Sequence, residues 1–350
     1  MTQAPDLLPQ SSQDERARIA AGRSRRFLAL SLGIAGVLLA YAVRGTDWHE
    51  VMATVRSARG EYLVLACGIA TVAYYTRALR WRILLGPENR CASLTVFWAT
   101  MVGCLGNTLL PARAGEFIRV VALGNRLGIS KAYILATVLI ERVLDILALL
   151  VVVFFTVSAQ GILPDGLVVA ARAVALGGLA CGVLLVMTPR LATFIRSVLL
   201  WLALPGNLGS RLWDVLAQFL QGMRVIQHPS TWITIAGLTT AIWLMDAAGS
   251  MIAARSIGLS LTLAQVLFLL AVLGLASAIP STPGYIGIYQ FVAVTVLVPG
   301  GLSKGVALLY VTLLQASNLL VVALWGTLGL SQLGLRQLWF SRAGRHIKAD

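Results

Sequence analysis

Apolar runs of bilayer-spanning length recur along this chain from Phe27 to Leu330, and no other feature limits its fold so severely. About 20 apolar residues cross a hydrocarbon core of about 30 Å as a helix. Inside lipid every backbone N–H and C=O must find a partner within the protein, so runs of this kind fold as helices. Only 12% of the residues are charged and 58% are hydrophobic, against roughly 25% charged in soluble domains. The chain therefore reads as an all-α polytopic membrane protein. Its net charge of +14 is first explained by basic loops held on the cytoplasmic side, and nucleic acid is not an expected partner.

Two stretches interrupt the apolar pattern. Gly106 to Glu116 ends a long run with Asn107, Pro111, Arg113, Gly115 and Glu116, and Ala278 to Gly287 carries Pro280, Pro283, Gly284, Tyr285 and Gly287. Apolar backbone breaks at membrane depth only where protein or a watery cavity satisfies the freed groups. Both breaks are candidates for a binding site, with the prolines and glycines as hairpin or gating positions.

Charge placement turns the first break into a topological statement. Residues 1–26 carry five arginines before the run Phe27 to Val43, which fits a cytoplasmic N-terminus and an uncleaved first helix. Ala40-Tyr41-Ala42 also resembles a signal-peptide cleavage site, an alternative left open. The span from Tyr62 ends in Arg77, Arg80, Arg82 and Arg90, which belong inside. If Ser93 to Leu110 crossed the bilayer, Arg113, Arg119, Arg126 and Lys131 would lie outside, against the positive-inside bias. A re-entrant hairpin avoids this: one arm enters from the cytoplasm, turns at Asn107 to Gly115, and Glu116 to Ile129 returns.

Ala132 to Val157 then leads out and Leu167 to Thr188 back in. Residues 189–230 read as a cytoplasmic amphipathic linker, and Thr231 to Ala254 leads out again. Thr262 to Ile279 and Tyr285 to Val298 form a second broken pair, followed by Lys304 and a last span, Val306 to Leu330. Residues 336–350 form a basic cytoplasmic tail. The expected architecture is about six full spans plus two broken re-entrant pairs within residues 27–335, with both termini cytoplasmic in the cell (cytoplasmic) membrane.

Tyr62 and Thr231, Ser93 and Thr262, and Pro111 and Pro280 are each 169 residues apart. A span, a broken pair and a span recur in the same order, giving half-repeats of about 27–157 and 167–330. Opposite entry of the two hairpins makes this an inverted repeat, the arrangement of many secondary transporters. Residue identity between the halves is slight beyond the prolines.

Glu141, Arg142 and Asp145 sit about ten residues into a span, roughly 15 Å deep at a rise of about 1.5 Å per residue. Each costs about 2.5–3.5 kcal/mol on insertion scales, so all three should face protein or a cavity. Glu141 and Asp145 share a face, and Arg142 can pair with Asp145 at i,i+3. Two readings stay open: an ion cluster that holds helices together, or a relay or headgroup site. Arg113, Glu116 and Arg119 extend the same chemistry, because an arginine fork suits phosphate. Arg77 and Arg80 are secondary candidates that also fit interfacial snorkelling. Asp246, which falls 169 residues after Arg77, needs a partner, and one of these arginines is the natural choice. Tyr285 and Gln290 are candidates to line the second break. Cys67, Cys91, Cys104 and Cys181 and the three histidines lack ligand or triad spacing, so no metal, cofactor or catalytic set is expected.

With Arg80-Trp81-Arg82, the Pro111-x-x-x-Gly115-Glu116 core, Glu141-Arg142-x-x-Asp145 and Ile279-Pro280-x-x-Pro283-Gly284-x-x-Gly287 in order, the chain resembles the lysylphosphatidylglycerol synthase transmembrane-region, or flippase-like domain, family. The resemblance covers roughly residues 27–335. It implies a membrane domain that moves lipids or lipid-linked intermediates between leaflets. The family often carries Glu where this chain has Gln290, which bears on proton coupling and not on the fold. The fused soluble aminoacyl-transferase domain of the synthases has no counterpart in the sequence.

The functional expectation is a translocator of a membrane lipid or polyprenyl-phosphate-linked lipid with an anionic, phosphate-bearing headgroup. It is not expected to be an enzyme, and no Gly-x-x-x-x-Gly-Lys-Ser/Thr loop supports ATP hydrolysis. Two alternatives remain: a membrane-embedded transferase using Glu116 or Glu141 as a base, or a non-transporting partner of an envelope-lipid enzyme.

Overall fold

A computed structural model describes residues 33–87, 89, 91–110, 113–157, 168–169, 172–178, 180, 217–218, 229–277 and 283–334. The N-terminal segment 1–26, Pro111, Pro280, the tail 336–350 and nearly all of the span from Leu167 and the linker 189–230 lie outside the described residues. What is described is helical. The order is α1 (Gly33–Val43), α2 (Trp48–Arg56), α3 (Gly60–Leu84), α4 (Ser93–Leu109), α5 (Gly115–Leu127), α6 (Lys131–Thr156), α7 (Pro229–Arg255), α8 (Leu263–Ser277), α9 (Ile288–Leu297) and α10 (Lys304–Gln332), with a 3-10 turn, Pro283–Tyr285, before α9.

Among the described residues α3, α7 and α10 are long and apolar enough to cross a membrane. The chain is thus a multi-pass membrane protein. At 26 residues α6 is also long enough, about 39 Å at about 1.5 Å per residue, and Glu141, Arg142 and Asp145 are what set it apart in composition. Outward-facing positions are apolar: Val64, Phe155 and Ile233 are more than two-thirds exposed, as lipid contact requires.

The chain breaks where the sequence predicts. Helix α4 has 17 residues and α5 has 13, while α8 has 15 and α9 has 10, each short of the roughly 20 needed for one crossing. Helices α4 and α5 fold back on each other as an antiparallel hairpin. Glycine makes this possible: a Cβ on Gly115 would stand 1.9 Å from Gly103 O, and one on Gly106 would stand 2.8 Å from the Gly115 Cα.

Two core clusters run through the bundle. Leu84, Met101, Leu123 and Ile134 belong to one, together with Ile235 of α7 and Val321, Val322 and Leu330 of α10, and Leu269, Ala293, Tyr310 and Val311 belong to another, which Val157 joins. Helix α3 packs along α7, and α4 along α10. Gly326 and Gly329 bring α10 against α4, with Met101 O and Trp98 O each 3.0 Å from the Cβ that a larger residue would place there. Small residues at helix crossings are the usual means of close packing in membranes.

Outside the bundle core, α2 is capped by Asp47, whose Oδ1 accepts from His49 N at 2.9 Å. Lys304 closes the same end by donating to Tyr41 O at 3.0 Å and Arg44 O at 2.5 Å.

Candidate functional site

Two places inside this apolar frame hold charged side chains. The first is an ion cluster between α3, α5 and α6. Glu141 is buried on α6 and meets Arg119 at 2.9 Å, Arg80 at 3.5 Å and Arg142 at 3.5 Å. Arg119 also holds Glu116 at 2.6 Å, one turn back on α5. Arg80 reaches Asp145 at 2.6 Å and donates to Thr239 Oγ1 at 3.0 Å. Arg142 completes the set with Asp145 at 3.6 Å and Glu116 at 3.7 Å. Three arginines face three carboxylates, so the cluster is neutral as a whole and none of its arginines stands as a vacant anion site. Neutralisation within the cluster is what makes so many charges tolerable away from water.

The expectation that Glu141 and Asp145 share a face holds, and Arg80 is the group that spans them. Interfacial snorkelling does not describe Arg80, which has no exposed surface. Its position near the end of α3 concealed this, because neighbouring α6 and α7 cover that turn. Trp81 stands beside it, donating from Nε1 to Thr137 Oγ1 at 3.0 Å, with the Arg119 guanidinium 4.6 Å from its ring centroid. Asn107 Nδ2 donates to Glu116 Oε1 at 3.4 Å, which joins the tip of α4 to the cluster.

The second assembly is a cavity of about 490 Å³ between α3, α7, α8, α10 and the second break. Arg77 and Asp246 line it and form an ion pair with each other. Of the two arginines offered as partners for Asp246, Arg77 makes the pair, and the two residues are separated by 169 positions. Tyr74 OH donates to Asn318 Oδ1 at 2.9 Å on the same wall.

Tyr285 and Gln290 also line the cavity. Tyr285 stacks on Tyr289 with ring centroids 5.2 Å apart. Gln290 Oε1 accepts from Gly287 N at 2.8 Å, and its Nε2 donates to Gln315 Oε1 at 2.9 Å. Gln315 in turn donates to Gly284 O. An amide serves both ends of this chain; a carboxylate could not donate to Gln315. Gly287, at φ 91°, lets α1 approach so closely that a Cβ would stand 2.4 Å from Ala35 O.

Arg113 joins neither assembly. It donates from Nε to Ser277 O at 3.1 Å and from Nη2 to Ser277 Oγ at 2.8 Å, tying the first break to the last residue of α8. Helix α4 packs on the turn Pro283–Tyr285. Arg113 (φ 54°) and Tyr285 (φ 59°) are the non-glycine residues with positive φ among those described, one at each break. Such conformations persist where surrounding structure holds them, often at functional sites.

The structure therefore sorts the predicted residues into three places. Glu116, Arg119, Glu141, Arg142 and Asp145 converge with Arg80, and Asn107 touches that group. Arg77, Asp246, Tyr285 and Gln290 surround the cavity with Gly284. Arg113 bridges the breaks, and Gly115 permits the first hairpin. Trp81, Thr239, Ser277, Gln315 and Asn318 were not foreseen as site residues. Their common signal is a hydrogen-bonding side chain within an otherwise apolar helix.

A family profile described as "Lysylphosphatidylglycerol synthase TM region" matches residues 28–326. Among curated proteins, the chain is 26% identical over 306 residues to "Glycosyltransferase AglD" of Haloferax volcanii. That match covers 77% of this chain and 48% of the relative, so the chain spans about half the length of that protein. No solved structure gives a significant match.

Proposed function

We propose, from the premise that the chain belongs to the lysylphosphatidylglycerol synthase TM-region family, that it translocates a lipid or lipid-linked intermediate between membrane leaflets. One observation carries the reading: the two helix breaks meet through Arg113 and Ser277 beside a cavity that holds the Arg77–Asp246 ion pair and several hydrogen-bonding side chains, inside a bundle whose exterior is apolar. A headgroup needs such interior polar groups to cross about 30 Å of hydrocarbon, and its tails need the apolar exterior.

On this reading α4–α5 and α8–α9 are re-entrant pairs that act as opposing gates. They are related by an inverted repeat within residues 27–335, in the cytoplasmic membrane with both termini inside. The 169-residue separation of Arg77 and Asp246, paired across α3 and α7, supports that symmetry. The neutral ion cluster holds α3, α5 and α6 together beside the first gate. Purified protein in vesicles tests this: a labelled phosphate-bearing lipid should become accessible in the opposite leaflet faster than in protein-free vesicles. Equal rates across several such lipids would refute it.

A second reading is a membrane-embedded transferase, favoured by the printed name of the Haloferax volcanii relative. Glu116 and Glu141 are the acids that sequence analysis offers as a base, and both lie within 3 Å of Arg119. Product formed from labelled lipid by the purified chain would support the transferase; transport with no product would exclude it.

A further inference from the structure

The cavity has an exposed rim and a half-buried ion pair. Five of its lining residues are exposed, Ile286, Thr312, Ala316, Asn318 and Leu319, and all five come from the second break or α10. The lining contributed by α3, α7 and α8 is buried or half-buried. Ile286 and Leu319 are about half exposed, and Leu320 beside them is more so. Ile286, Ala316 and Leu319 give this rim apolar side chains, and Thr312 and Asn318 add a hydroxyl and an amide. Arg77 and Asp246, both half-buried, are the ionised side chains among the described lining residues, and Tyr74 links Arg77 to Asn318.

A water-soluble ligand is served by a polar mouth. A rim with apolar side chains beside the lipid-facing surface, and a half-buried ion pair as its floor, suits a molecule that keeps its hydrocarbon in the bilayer while its headgroup is enclosed. We infer that the gap between the second break and α10 is a lateral portal for a bilayer lipid. The tails stay against Ile286 and Leu319, and the headgroup occupies the cavity.

The floor also selects chemistry. Arg77 presents paired donors to a phosphate oxygen, and Asp246 accepts from a donor further along the headgroup. Because the pair is neutral together, it favours a headgroup with both a phosphate and a distal hydroxyl or ammonium over a bare phosphate monoester. This assignment rests on the translocator reading and places its substrate.

Site-specific photo-crosslinking in full-length protein tests it. Benzoylphenylalanine is placed at Ile286, at Leu319, or at Ile233, which is exposed on α7 and outside the cavity lining. The bilayer is phosphatidylcholine doped with alkynyl-tailed phosphatidylglycerol, phosphatidylethanolamine or phosphatidic acid. Capture of the first two lipids at 286 and 319 should exceed capture at 233 by about tenfold, the factor expected for one charge-assisted hydrogen bond. Phosphatidic acid should show less preference. Excess unlabelled phosphatidylglycerol should compete at 286 and 319 but not at 233, a readout that needs no further mutation.

In the R77Q/D246N double variant, capture at the rim should fall to the level at 233. Equal, non-competable capture at all three positions would overturn the portal. Competable rim capture that survives R77Q/D246N, or that is as strong for phosphatidic acid, would overturn the headgroup assignment. Capture without leaflet exchange would remove transport and keep the portal; exchange without competable capture would remove the portal alone.

Discussion

Removing Arg80 should destabilise the protein, and removing Asp145 with it should restore most of the loss. Arg80→Met keeps the length of the side chain in a site with no solvent exposure and deletes one of three positive charges. Breaking a buried ion pair by removing one partner costs about 3–5 kcal/mol, because the remaining charge stays buried. Here the partners are not abandoned. Asp145 keeps Arg142 at 3.6 Å and Glu141 keeps Arg119 at 2.9 Å, so the loss should fall near the lower end, about 3 kcal/mol. Arg80→Met/Asp145→Leu leaves two charges of each sign and should return to within about 1 kcal/mol of the native protein, the remainder being the hydrogen bond lost by Thr239. Reversible denaturant unfolding in bicelles measures both variants. A single-variant cost below about 1 kcal/mol, or a double variant as damaged as the sum of its singles, would refute charge balance as the principle that holds α3 to α6.

Gly115→Ala places a Cβ 1.9 Å from Gly103 O and 2.5 Å from Asn107 N, both backbone atoms. It should cost about 1–3 kcal/mol or more by thermal melting, whereas Gly68→Ala, with nothing within 4 Å, should be neutral or stabilise by up to about 1 kcal/mol. Trp81→Phe removes the bond to Thr137 and weakens the Arg119 stack. Unfolding measurements should show a loss of about 1–2 kcal/mol. Ser277→Ala removes one bond from Arg113 together with the hydroxyl's own bond to Gly274 O, and Arg113→Ala removes both of the arginine's bonds. In a double-mutant cycle followed by thermal melting the two losses should be less than additive by about 1 kcal/mol, the one bond they share; fully additive losses would show that Arg113 acts elsewhere.

Much of the helical frame is legible in hydropathy, because in lipid the backbone leaves no choice but helix. The breaks at Asn107 to Gly115 and before Tyr285 are equally legible, since proline, glycine and charge cannot continue an apolar helix unaided. Glu141, Arg142 and Asp145 announce an inward face by their cost in lipid. The role of Arg80 is not legible: hydropathy sees a basic residue near a helix end, and only packing against α6 and α7 turns it inward. The same holds for Arg113. As a free cation it suits a phosphate, but the hairpin carries it to Ser277, which lies 164 positions away. Gln315 and Asn318 escape notice because a lone amide in a span of 29 residues barely lowers its hydropathy. The pairing of Arg77 with Asp246 was within reach because the 169-residue offset names both positions.

Leaflet exchange measures directly whether lipid moves through this protein. Vesicles of phosphatidylcholine carrying fluorescent phosphatidylglycerol and the purified chain are treated with an impermeant quencher. With native protein, quenching should pass the outer-leaflet fraction and approach completion, while R77Q/D246N should stop near the level of protein-free vesicles. Native protein that leaves the inner leaflet protected, with phosphatidylglycerol and with other phosphate-bearing lipids alike, would mean that it does not translocate lipid.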